Sequence, residues 1–191
     1  MIITILTDNK KSWILPFVDI LKQKISNSHD IIHIFSQNNI LVGDILIILG
    51  CEKIIPKKIL LLNKTNIVVH PSALPKGKGF SPLAWQILEG KSQIILTLFE
   101  ATTKVDSGKI YLQCKLNLNG HELNNEIKKI QGEETIKLVL KFIKLYPNIC
   151  GKNQEGKETF YKRRTKEDME IDPSITIKEQ FNIFRVADND R

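Results

Sequence analysis

Residues 66–101 run NIVVHPSALPKGKGFSPLAWQILEGKSQIILTLFEA and divide into four pieces of different character. "NIVVH" is a short apolar run rich in β-branched residues, as a strand buried on both faces requires. "PSALPKGKGF" is a loop, stiffened by Pro71 and Pro75 and opened to close backbone approach by Gly77 and Gly79. "SPLAWQILEG" has the punctuation of a short helix, with Ser81 at the N-cap, Pro82 at its first position and Gly90 just past its end. "SQIILTLFEA" is a strand again. Strand, loop, helix and strand in that order predict an α/β architecture around a mostly parallel sheet.

Working outward, the pattern repeats. "MIITILT" predicts a strand and "SWILPFVDILKQKI" a helix, with Ser12 as N-cap and Pro16 in its first turn. "DIIHIFS" and "GDILIILG" predict two more strands, with "IPKKILLL" as a short helix between the second of these and "NIVVH". After "SQIILTLFEA" only "TTKVDSG" separates the next strand, "KIYLQCKLNL", too short for a crossover helix, so that pair should be antiparallel or one of the two should leave the sheet. "GHELNNEIKKIQGEETIKLVLKFIKLYP" predicts a long helical stretch with a break near Gly132. The polar loop "NICGKNQEGKE" then leads to an extended or turning segment, "TFYKRRTKEDMEIDPS", and an amphipathic helix, "TIKEQFNIFRVAD". The division expected is a core over 1–150 and a loop and helix packed on it over 151–191.

A chain of 191 residues suits one sizeable core rather than two. Its net charge of +7 favours an anionic partner, but the lysines are scattered, which argues against nucleic acid. Cys51, Cys114 and Cys150 lie far apart with no CxxC pair, so neither a disulfide framework nor a metal site is expected. No apolar run approaches the roughly 20 residues of a bilayer span, and the N-terminus lacks a signal-peptide pattern. A cytoplasmic protein with no membrane partner is expected.

Ligands of open α/β sheets sit outside the carboxyl ends of the strands. Three loops at such ends stand out: "TDNKKS", "GCEKIIP" and "HPSALPKGKG". The first offers Asn9, Lys10 and Ser12 as donors to an anion at a helix N-terminus. No glycine-rich dinucleotide fingerprint accompanies it. In the third, His70 ends its strand beside Lys76 and Lys78, placed to act as acid, base or hydrogen-bond donor.

"HPSALPKGKGFSP" resembles the histidine–proline–serine–leucine–proline segment of the 10-formyltetrahydrofolate-dependent formyltransferases. "TKVDSGKI", following in the same order, resembles their aspartate–x–glycine–x–isoleucine segment. The resemblance covers roughly Met1 to Leu116 and implies a Rossmann-like formyltransferase core. It implies formyl transfer from N10-formyltetrahydrofolate to a primary amine, with His70 and Asp106 as catalytic residues. Folate is then expected against Gly50, Cys51, Ile54, Ile55, Val105 and Asp106, and the acceptor against Ser72, Phe80 and the loop donors above. The family's asparagine, two residues before the histidine, is Val68 here. That loses one donor to the tetrahedral oxyanion, typically worth on the order of 3 kcal/mol of barrier. Asn66 faces the same side of the strand but sits roughly 13 Å from His70 at about 3.3 Å per residue.

"FYKRRTKEDMEID" and "QFNIFRVADNDR" resemble segments of the enzymes that N-formylate nucleotide-linked amino-deoxysugars, with Arg163 or Arg164 reaching a phosphate or carboxylate. The resemblance therefore implies a nucleotide-sugar acceptor, and a homodimer for which "KIYLQCKLNL" offers a surface. Glycinamide ribonucleotide and methionyl-tRNA acceptors are the alternatives within the family; the chain has no room for the extra nucleic-acid-binding domain of the latter. A folate- or nucleotide-binding module disabled by Val68, a non-catalytic assembly domain and a formyl-folate hydrolase are alternatives of other classes. Relatives continue past Arg191, so a terminal segment is expected to be missing.

Overall fold

The computed structural model describes residues 1–188. One six-stranded sheet organises them, in the order β2-β1-β3-β4-β6-β7. Its strands are β1 (Ile2–Leu6), β2 (Asp30–Ile34), β3 (Gly43–Ile48), β4 (Asn63–His70), β6 (Gln93–Glu100) and β7 (Ile110–Asn117). The first four run parallel. β6 runs antiparallel to β4, and β7 antiparallel to β6. The short loop before β7 behaves as its length requires. The reversal of β6, which follows a helix, is not visible in its apolar pattern.

Helices α1 (Leu15–Ile25), α3 (Pro82–Leu88), α4 (Asn124–Leu145) and α5 (Ile177–Val186) share a core with the sheet that centres on Ile5, Ile45, Ile67, Leu96 and Phe142. On the opposite face a smaller cluster joins Leu6, Ile34, Leu46, Ile48 and Ile55 to α2 (Lys57–Leu60). Each such side chain removed from water contributes on the order of 2 kcal/mol before entropy is counted.

α1 begins at Leu15 with Ile14 at its N-cap, two residues later than a Ser12 cap would place it. Pro16 lies in the first turn, where its missing N–H costs nothing. α3 starts at Pro82 behind Ser81, whose φ of +49° is left-handed and whose side chain makes no capping bond. α4 is continuous for 22 residues, so the expected break at Gly132 does not occur. Glycine is there for packing: a Cβ would come within 2.5 Å of the Phe17 ring on α1.

The C-terminal segment returns to the core. β8 (Phe160–Tyr161) pairs in parallel with β5 (Lys78–Gly79), a two-residue strand within the loop after His70. Tyr161 stacks on Trp85, with centroids 6.1 Å apart, and Trp85 Nε1–H donates to the Lys162 carbonyl at 2.8 Å. α5 opens on a reciprocal cap between Thr176 and Glu179. Its buried positions are Gln180, Arg185 and Val186, while Ile177 is 68% exposed, so its buried face is not the apolar one its sequence suggests. The last three residues of "QFNIFRVADNDR" lie outside the described residues. Among the described residues no helix is long and apolar enough to cross a membrane.

Candidate active site

β4 delivers His70 to the sheet's carboxyl edge, where the residue is 7% exposed. Nε2 lies 2.8 Å from the Gly77 carbonyl oxygen. A carbonyl only accepts, so Nε2 carries a proton and, in the neutral ring, Nδ1 carries the lone pair. Phe99 on β6 meets the imidazole edge-on at 6.5 Å.

Asp106 arrives by a longer route. His70 pairs with Thr97 on the antiparallel β6, whose last residue, Glu100, is level with Ile67. β6 therefore leads away from His70, and the loop after it must fold back. It does so sharply: Asp106 has a φ of +46°, and a Cβ on Gly108 would collide with the Glu100 carbonyl. A left-handed non-glycine residue costs on the order of 1 kcal/mol and persists where its surroundings hold it. Gln154 does this, donating Nε2–H bonds of 2.9 Å to the carbonyls of both Asp106 and Gly108. The Asp106 carboxylate accepts the Gly79 N–H at 2.9 Å and stands 3.8 Å from His70 Nε2. That separation is longer than a hydrogen bond and short enough for a strong charge interaction. The ring's tautomer is thus fixed by Gly77, and Asp106 supplies negative charge beside it.

Two other loops at the strand ends are tied to each other. Asp8 accepts the N–H groups of Glu52 at 3.0 Å and Lys53 at 3.3 Å, tying the loop after β1 to the loop after β3. Gly50 has a φ of +65°, and a Cβ there would come within 2.9 Å of the Ser12 hydroxyl, so Gly50 and Ser12 are neighbours. The Cys51 thiol donates to the Leu6 carbonyl at 3.4 Å, and burial pushes its pKa up to about 12. Ile54 is 56% and Val105 42% exposed, leaving apolar surface on two loops, whereas Ile55 is buried in the smaller core cluster. Asn9 accepts from the Lys11 N–H at 2.8 Å, and the Lys10 ammonium lies 5.8 Å over the Phe35 ring.

In the loop after β4, Lys76 is exposed, but Lys78 is buried, with its ammonium 2.7 Å from Glu158 and 3.3 Å from the Ser107 hydroxyl. The Ser72 hydroxyl is enclosed and has no hydrogen-bond partner among the described residues. Arg163 sits over the Phe80 ring at 4.5 Å and pairs with Glu52 at 3.2 Å, so the C-terminal segment straps two site loops together. Arg164 goes elsewhere, to Met169 Sδ at 3.1 Å and the Val186 carbonyl at 3.4 Å. Val68 leaves no donor beside His70. Asn66 is committed to the Leu60 carbonyl at 3.0 Å and to Glu100.

The groups that sequence reasoning did not identify are the Gly77 carbonyl, Gln154 and Glu158. A backbone carbonyl carries no sequence signal, and the other two come from a polar loop indistinguishable from solvated surface. No group of three or more metal-ligating side chains occurs among the described residues.

A family model described as formyl transferase matches residues 10–141. Curated relatives are methionyl-tRNA formyltransferases. That of Thermotoga neapolitana is 29% identical over 150 residues, 76% of this chain and 48% of its own. The chain spans between 36% and 53% of the length of the first such relatives. Among solved structures, methionyl-tRNA formyltransferase from Clostridium thermocellum has a TM-score of 0.84 at 23% identity, over 100% of this chain and 84% of that one. HypX from Aquifex aeolicus in complex with tetrahydrofolic acid has a TM-score of 0.76 at 15% identity, over 99% of this chain and 34% of that one. A sugar N-formyltransferase from a Shewanella species has a TM-score of 0.70 at 16% identity, over 100% of this chain and 90% of that one. These structures share the fold. With a histidine held at the end of β4, an aspartate returned to it from the β6–β7 loop, and a family match across both, the chain belongs to the formyl transferase family.

Proposed function

We propose that this protein transfers a formyl group from N10-formyltetrahydrofolate to the primary amine of a nucleotide-linked amino-deoxysugar. The observation that carries the reading is the pairing of His70 and Asp106: a buried imidazole with its Nε2 proton fixed on Gly77 and a carboxylate 3.8 Å away. Among the described residues no hydrogen bond reaches Nδ1, which leaves that nitrogen for the reacting groups.

The folate supplies the formyl group on N10. Its ring has apolar contact available at Ile54 and Val105, on loops where Gly50 lets backbone approach closely. His70, protonated at both nitrogens, donates Nδ1–H to the formyl oxygen while Asp106 stabilises the imidazolium. The amine nitrogen bonds to the formyl carbon, and the oxygen takes up negative charge. Breaking the carbon–N10 bond completes the exchange, with the amine's surplus proton balancing the one that N10 gains. His70 is placed to carry that proton, giving its Nδ1 proton to N10 as the bond breaks and regaining one from the amine. Such general acid–base assistance is worth roughly 10²–10⁴ in rate.

Support for a sugar acceptor comes from the strap. Arg163 and Phe80 present a guanidinium and a half-exposed ring at the mouth of the site, suited to a phosphate and a sugar or base. The likeness to the Shewanella sugar N-formyltransferase points the same way. A homodimer remains part of this proposal, with β7 at the sheet edge as its surface. The methionyl-tRNA reading is favoured by one observation, the identity of the curated relatives. Incubation with N10-formyltetrahydrofolate and a panel of nucleotide-linked amino-deoxysugars decides between them. Mass spectrometry should find one added formyl group on a sugar. Formylation of methionyl-tRNA with none on any sugar would replace this reading by the second.

A further inference from the structure

We propose that Thr159 is a positioning residue for His70: by holding the backbone on both sides of Gly77, it ensures that the imidazole meets a carbonyl oxygen there rather than an N–H. Its role in catalysis rests on the formyl-transfer reading; its hold on the imidazole does not.

The two edges of β5 do different things. Along one, the N–H groups of Lys78 and Phe80 donate to the carbonyls of Thr159 at 2.9 Å and Tyr161 at 3.1 Å. The other edge faces the catalytic pair. There the Gly77 carbonyl accepts from His70 Nε2–H at 2.8 Å, and the Gly79 N–H donates to Asp106 at 2.9 Å. Successive backbone groups of an extended chain point to opposite sides, so pairing one edge aims the other. β8 therefore orients the backbone groups that meet both His70 and Asp106.

Gly77 is the weak point of this template. Its φ of +73° is left-handed, a region that glycine enters and leaves at little cost. In a trans peptide the oxygen and the hydrogen lie on opposite sides. Turning the Gly77–Lys78 peptide over would put the Lys78 N–H where the carbonyl now stands. Nε2 would then have to accept, and the proton of the neutral ring would move to Nδ1. Nδ1 would lose the lone pair with which it regains a proton from the amine.

A side chain at position 77 cannot supply the missing stiffness. A Cβ there would lie 2.9 Å from the Ser72 Cβ and 3.0 Å from the Tyr161 ring. The restraint has to come from outside, and Thr159 provides it. Its carbonyl accepts the Lys78 N–H at 2.9 Å, and its hydroxyl oxygen accepts the Gly77 N–H at 2.9 Å. Those two bonds fix the peptide planes after and before Gly77, and only the second belongs to a side chain. Thr159 is exposed, so water can take over the Gly77 N–H when the hydroxyl is removed. Water satisfies the donor without fixing its direction. The loss therefore falls on the imidazole and not on stability.

Thr159→Val keeps the β-branched shape and removes the acceptor, while Thr159→Ser keeps the hydroxyl. Long-range nitrogen–proton NMR spectra of the full chain, carrying isotope-labelled histidine, report which ring nitrogen is protonated. The His70 signals are those absent from His70→Ala. At about pH 8.5, where an ordinary histidine is neutral, the wild type and Thr159→Ser should show the Nε2–H form. Thr159→Val should move the equilibrium roughly three- to tenfold toward the Nδ1–H form, the worth of one neutral hydrogen bond. Formyl transfer to the sugar panel should slow in proportion to the Nε2–H form lost, and recover in Thr159→Ser. Affinity for 5-formyltetrahydrofolate and the melting temperature should stay unchanged. An unaltered tautomer ratio in Thr159→Val, or an equal change in Thr159→Ser, overturns the proposal. So does a shifted ratio with an unaltered rate, which would remove Thr159 from catalysis. A shifted ratio in a protein whose wild type formylates no sugar supports the hold on His70 and sinks the sugar-acceptor reading instead.

Discussion

The His70 Nε2–H donates to the Gly77 carbonyl at 2.8 Å, and this bond fixes a proton on that nitrogen and leaves Nδ1 as the one that can exchange. Replacing His70 by alanine should reduce formyl transfer by at least 10³-fold, near the upper range for a general acid or base, with an unchanged circular dichroism spectrum. Turnover within tenfold of the wild type would remove His70 from the chemistry.

The Asp106 carboxylate stands 3.8 Å from the imidazole and accepts the Gly79 N–H. Asp106→Asn keeps an acceptor for Gly79 and loses the charge. The rate constant kcat should fall roughly hundredfold, with folate affinity unchanged. A loss of folate binding without a loss of kcat would make Asp106 a binding residue.

Val68 offers an unusual gain-of-function test. An asparagine there would add a donor next to His70, and one such donor is worth on the order of 10²–10³ in other enzymes. Val68→Asn should raise kcat at least tenfold at a stability cost of about 1 kcal/mol for placing an amide on a half-buried strand. No gain, in a folded variant that binds folate, would mean that another group already serves the oxyanion.

Gly132 opposes two forces. Alanine is the better helix former by about 1 kcal/mol, which alone predicts stabilisation. The Phe17 ring lies where the new methyl would go, at 2.5 Å, and overpacking costs typically 1–3 kcal/mol. Urea denaturation of Gly132→Ala should show net destabilisation, relieved when Phe17→Leu is added. Net stabilisation would show that the ring yields freely.

The pairing of Arg185 with Glu122 sets a pH dependence. Both are buried, and Arg185 donates to the Glu122 carboxylate and to its backbone carbonyl. Burial alone raises the Glu122 carboxyl, but the N–H groups of Asn119 and Gly120, with Glu122's own, hold it below the usual glutamate value. A depressed folded-state pKa contributes stability above the unfolded value, about 4.3, that is lost as pH falls through the folded one. Thermal melts should therefore decline below about pH 5, and more shallowly in Glu122→Gln. Arg185→Met should cost about 3 kcal/mol at neutral pH, because it leaves the buried carboxylate without its partner.

The alternation of apolar strands with punctuated helices was enough to place every strand of the main sheet and to bring the loops of His70, Gly50 and Asn9 to one edge. A strand's apolar run and a helix's caps are local properties, and they are written in consecutive residues. Asp106 was legible only through its resemblance to a family segment, since "VDSG" by itself describes any tight turn. The direction of β6, the fold-back of its loop and the hold of Gln154 on that loop depend on partners distant in sequence. For the same reason Lys78 turned inward to Glu158, and α5 buried Arg185 in preference to Ile177. Sequence by itself determined which segments become strands and helices, because that choice follows from local backbone preference and apolar spacing. Only the tertiary structure decided which polar groups meet, because a buried charge or a strained loop is settled by what packs against it.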